Sequence, residues 1–92
     1  MSKKNIYKIR KELDKLDNLL LTIIKKRTFL VSKILKNKKN KKEIVDKKRI
    51  SKILKNIDKK SKQRKIDPKI TNKIWKSMIK AFIDYEYRNF KK

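Results

Sequence analysis

Along the first third of the chain, apolar residues recur in alternating steps of three and four: Ile6, Ile9, Leu13, Leu16, Leu20, Ile23, Leu30 and Ile34. Residues so spaced share one face of an α-helix, which predicts a helix from about Asn5 to Asn37. At 1.5 Å per residue its roughly 33 residues reach about 50 Å. A compact chain of this length has a radius of gyration of only about 12 Å. A partner chain covering the seam is the economical solution, so the pattern predicts an obligate dimer.

The run Asn37 to Lys42 is all polar and reads as a solvated loop. Asp46 then suits the N-cap of a second helix, about Lys47 to Lys59, with Arg49, Ile50, Ile53 and Ile57 along one side. A charged stretch, Asp58 to Lys65, separates it from a third helix announced by Asp67-Pro68. That helix runs to about Asn89, with Ile70, Ile74, Trp75, Met78, Ile79, Phe82 and Ile83 on its apolar side. No alternating strand pattern persists and no segment repeats. The expectation is an all-α domain of three helices spanning residues 1–92.

The seam is broken once. Arg27 stands where an apolar residue should, and continuing the stripe one turn past Ile34 brings Lys38 onto it. A cation removed from water costs several kcal/mol unless an anion meets it. No carboxylate occupies a nearby seam position, which points to a ligand as the anion. The simpler alternative is that Arg27 snorkels its head group to solvent and that Lys38, in a lysine-rich loop, is solvated. Arg10 and Arg49 likewise fit surface positions. Glu86 lies four residues beyond Phe82 on an apolar stripe. A carboxyl group held neutral in such a place can donate a hydrogen bond; alternatively Glu86 pairs with Arg88 or a neighbouring lysine.

Composition narrows the chemistry more than the partner. The formal charge is +23, but 27 of the 32 basic residues are lysine. Enrichment in Lys, Ile and Asn without glycine reflects coding bias as much as selection. The charge attracts any dianion at low salt, and it keeps a basic nucleic-acid-binding module as an alternative of a different class. Without glycine, phosphate-cradling loops are excluded; without Cys or His, so are disulfides, thiol or imidazole chemistry and the usual zinc sites. No apolar run approaches the roughly 20 residues needed to span a bilayer, and the basic N-terminus lacks a signal peptide's apolar stretch. A cytoplasmic location is the default expectation.

Taken in order, these motifs resemble the all-helical chorismate mutases and the closely related isochorismate-pyruvate lyases. The resemblance covers about Ile6 to Phe90. It opens with IRKELDKLDNLLLTIIKKR (Ile9 to Arg27), continues through Lys38, Asp46, Arg49 and the IDPKI run at Ile66 to Ile70, and ends in IKAFIDYE (Ile79 to Glu86). It implies three helices intertwined with a second copy, with two active sites shared between protomers and no cofactor or metal. Arg27 and Lys38 would be substrate-binding cations within a site, and Arg10 the cation reaching in from the other subunit. Asp46 and Arg49 match positions at the head of the second helix. Glu86 matches a position that is Gln in many bacterial members and Glu in fungal mutases. Ile34, Ile53, Ile79, Phe82 and Ile83 would line the substrate ring.

The implied activity is rearrangement of chorismate to prephenate, a step of aromatic amino-acid biosynthesis. Two departures favour the lyase alternative, which gives salicylate and pyruvate. Bacterial mutases carry Arg-Glu where this chain has Arg49-Ile50, and tend to carry Ser where it has Phe82; the lyases are apolar and aromatic there. Glu86 points back to the mutases, since the lyase has Gln. A helical interaction protein that has lost catalysis is the remaining reading, with Ile50 and Phe82 as marks of decay.

Overall fold

The computed structural model describes residues 2–91. Three α-helices and one short 3₁₀ turn account for nearly all of them, and no strand is present among the described residues. Helix α1 is Lys3–Lys36, α2 is Lys47–Gln63 and α3 is Pro68–Asn89; the 3₁₀ turn is Lys41–Glu43. The chain divides into two compact units, Met1–Val31 and Ser32–Lys92.

The first unit is the greater part of α1. Its apolar seam is in place but uncovered: Leu13, Leu16, Leu20 and Ile23 are each 52–54% exposed. Leu19, Leu21 and Ile24 are exposed as well, so near its middle the helix is apolar around about half its circumference. Lys11 Nζ stacks over the Tyr7 ring at 4.8 Å, a surface cation–π contact.

The second unit holds the last turn of α1, the 3₁₀ turn, α2 and α3, with α2 packed against α3. Ile50, Ile53, Leu54 and Ile57 of α2, and Trp75, Met78, Ile79, Phe82 and Ile83 of α3, are all half-buried. Among the described residues only Leu35 and Ile44 are fully buried apolar side chains. Caps start both helices: Asp46 Oδ1 accepts from the Arg49 amide at 3.0 Å and Asp67 Oδ1 from the Lys69 amide at 2.9 Å. Each such cap contributes about 1 kcal/mol.

Helix α2 continues one turn beyond the expected Lys59, into the stretch read from sequence as a charged linker. Two contacts explain the extra turn. Asp58 and Lys62 form an i,i+4 ion pair at 3.0 Å, and the buried Ser61 hydroxyl donates to Ile57 O while meeting Thr71 Oγ1 of α3 at 2.7 Å. The helix then ends in a Schellman motif: the Ile66 amide donates to Ser61 O at 2.8 Å and the Lys65 amide to Lys62 O at 3.2 Å. The left-handed residue in that motif is Lys65, at φ 58°. In a chain without glycine a β-carbon must take this position, at a cost of about 1 kcal/mol.

Candidate functional site

The second unit brings together residues that lie far apart in sequence. Helix α1 stops at Lys36, so Lys38 is not on the seam stripe as expected; it lies just past the helix, its amide donating to Leu35 O at 3.1 Å. Its ammonium group is turned inward. Lys38 Nζ donates to Glu86 Oε1 at 2.9 Å and to Ile44 O at 3.4 Å, and its side chain is only 18% exposed. Glu86 is 6% exposed and is the one buried carboxylate among the described residues.

This corrects two simpler readings. Lys38 is not a solvated loop lysine, and Glu86 is matched neither with Arg88 nor with a lysine beside it on α3. Its partner is 48 residues away, delivered by the tertiary fold. A half-buried pair of this kind is poor evidence of stability, because removing the charges from water offsets much of their attraction.

Neighbouring groups fix the walls of this region. Ser32 Oγ, on the last turn of α1, meets Tyr85 OH of α3 at 2.8 Å. Ile53, Ile79, Phe82 and Ile83 remain half-buried, whereas Ile34 is 55% exposed. Asp46 is committed to its cap, and both it and Arg49 are exposed at the start of α2. A cavity of about 310 Å³ opens beside Lys38, between Ser32, Leu35 and Lys36 on one side and Asn89, Phe90 and Lys91 on the other. Of the residues expected at the site, only Lys38 borders it. Two helix C-termini meet there, and their carbonyl ends disfavour anions; the cavity is therefore a poor anion cradle despite its lysines.

The other two expected cations belong to the first unit. Arg10 is exposed. Arg27 is half-buried with its Nε shielded from solvent. It already has a partner within the chain, so its burial alone does not call for a ligand.

Sequence reasoning missed Ser32, Tyr85, Glu43 and Ile44. A usable signal existed for the last two: Glu43 is the one carboxylate in the lysine-rich run after α1, and Ile44 is the first apolar residue to end it.

No group of His, Cys, Asp or Glu among the described residues is arranged to hold a metal ion, and no helix is long and apolar enough to cross a membrane. A family model described as chorismate mutase type II matches residues 9–87. The chain matches no curated protein and no solved structure.

Proposed function

The chain belongs to the type II chorismate mutase family, and from that membership we propose that it converts chorismate to prephenate, as an isomerase acting through a homodimer with shared sites and a single domain over residues 1–92. The observation that carries the reading is the pair formed by half-buried Lys38 and buried Glu86 at 2.9 Å. It sets a donor cation beside a carboxyl group at two positions that the family resemblance places in the site.

Chorismate is a dianion bearing an enolpyruvyl ether. Its rearrangement is pericyclic, so the protein need only hold a folded conformer and stabilise the charge that develops on the ether oxygen. Arg27 and Arg10, the latter from the second subunit, clamp the two carboxylates; guanidinium suits bidentate pairing with them. Lys38 and Glu86 flank the ether oxygen, while Asp46 and Arg49 border the site at the head of α2. Ile34, Ile53, Ile79, Phe82 and Ile83 enclose the ring. A 10⁶-fold acceleration requires only about 8 kcal/mol of transition-state stabilisation, within reach of preorganised charges in a dry pocket.

The dimer is supported by what the single chain leaves undone. Two fully buried apolar side chains among the described residues make a very small core, and small domains are marginal even with full burial. The exposed seam of α1 is a contiguous apolar surface of the kind that marks an interface. Covering it with the same seam of a second copy supplies the missing core.

Lys38 holds the Glu86 side chain, so the two act at the ether oxygen as a unit. Glu86→Gln keeps a hydrogen-bonding side chain of the same size there and should retain more mutase activity than Glu86→Ala. Equal losses in the two variants, measured by steady-state kinetics on chorismate, would remove Glu86 from this role.

Isochorismate-pyruvate lyase activity is the second reading. It is favoured by Ile50, half-buried one residue after Arg49, and by half-buried Phe82: both give the ring an apolar environment where a mutase would offer polar groups.

A further inference from the structure

The segment joining α1 to α2 is built around Lys38. Its backbone is fixed by the hydrogen bond that the Lys38 amide donates to Leu35 O at 3.1 Å, with Leu35 itself buried. The next amide, that of Lys39, donates to the Glu43 carboxylate at Oε2. Glu43 closes the 3₁₀ turn, which Asn40 caps by accepting from the Lys42 amide at 3.1 Å. The following residue, Ile44, is 3% exposed and supplies the carbonyl that Lys38 Nζ reaches at 3.4 Å. Two adjacent residues thus hold Lys38: Glu43 through the next peptide, Ile44 through the ammonium group.

Such a clasp has a physical reason. A lysine side chain has four rotatable bonds and no fixed fork, so its head group is imprecise unless held. Between Lys36 and Lys42 five lysines crowd together. Their repulsion would open the loop, and Glu43 is the carboxylate within it. An ammonium group carries three donors. Ile44 O and Glu86 Oε1 engage two of them, which leaves the third for a substrate oxygen.

We propose that Glu43 is a positioning residue for Lys38: by clasping the Lys39 amide it seats the buried Ile44 carbonyl on the Lys38 ammonium group and aims the remaining proton at the substrate. The inference rests on the role given to Lys38 under the proposed function.

The test compares kcat and KM on chorismate for the wild type, Glu43→Ala, Glu43→Gln, Lys38→Ala and the Lys38→Ala/Glu43→Ala pair. Glu43→Ala should lower kcat about tenfold, the scale of one lost charged hydrogen bond. KM should not rise, since the charge removed is negative and the substrate is a dianion. Glu43→Gln keeps the acceptor oxygen and should restore kcat to within about threefold. On the Lys38→Ala background, Glu43→Ala should add nothing further, because coupled residues are not additive. Lysine labelling followed by mass spectrometry reads the same contact without catalysis: Lys38 should be protected in the wild type and in Glu43→Gln but reactive in Glu43→Ala. An unchanged kcat in Glu43→Ala, equal losses in the Ala and Gln variants, full multiplication in the double variant, or Lys38 labelling unaffected by Glu43→Ala would each overturn the proposal. A wild type without turnover but with this labelling pattern would instead fault the proposed function and leave the clasp standing.

Discussion

Arg27→Lys is expected to lower kcat/KM for chorismate by about 10³-fold, some 4 kcal/mol of transition-state stabilisation. The substitution keeps the charge and most of the length. What it removes is the planar pair of donors that meets both oxygens of a carboxylate at once. Steady-state kinetics with the folded variant check it, with circular dichroism to confirm helicity. Because Arg27 already has a partner in the ligand-free chain, the variant's thermal stability should be measured alongside. A loss of activity at unchanged melting temperature locates the effect in substrate binding. If activity is retained within about threefold, a general cation suffices and the bidentate clamp is wrong. A nucleic-acid-binding module would be indifferent to this change: affinity there follows the number of cations and falls steeply with salt.

The second large effect is expected from the seam. Replacing both Leu16 and Leu20 with Asp places two carboxylates on the apolar seam of α1, where each leucine is 54% exposed in the single chain. If a second copy covers that face, each buried charge costs several kcal/mol. The variant should then run as a monomer in analytical ultracentrifugation, lose most of its helical signal at 37 °C and show no turnover. Were the seam open to water, two such changes would be nearly neutral and would improve solubility. The wild type should also melt at a temperature that rises with protein concentration, as linked folding and association require. A concentration-independent melt with an active monomeric variant would contradict the dimer.

The helices were legible in the sequence because each rests on a local signal. The three-four spacing of Ile6 to Ile34 marks α1, and Asp67-Pro68 marks the start of α3 to the residue. The last turn of α2 was hidden, because the Asp58–Lys62 pair lies within a run of charges that reads as a linker, the Ser61–Thr71 contact is tertiary, and the terminus uses Lys65 where the usual signal is glycine. Lys38 was harder still. A run of lysines and asparagines has no periodicity from which to infer that one ammonium group turns inward, and Lys38 does so by leaving the helix rather than by continuing it. Glu86 was identifiable as a carboxylate on an apolar stripe, but its partner was not: local spacing offers Arg88, while the fold delivers a lysine from the other end of the unit. Position within an element can be read from periodicity; the pairing of charges across elements requires the packing.

Family membership accounts for the three-helix fold, and under the proposed function the choice between chorismate and isochorismate is what a substrate assay decides. The most direct measurement offers the purified, folded protein chorismate and isochorismate separately and follows the products by chromatography. Prephenate from chorismate is expected, with little or no salicylate from isochorismate. Salicylate and pyruvate without prephenate, or a stable dimer inert toward both compounds, would contradict the proposed function.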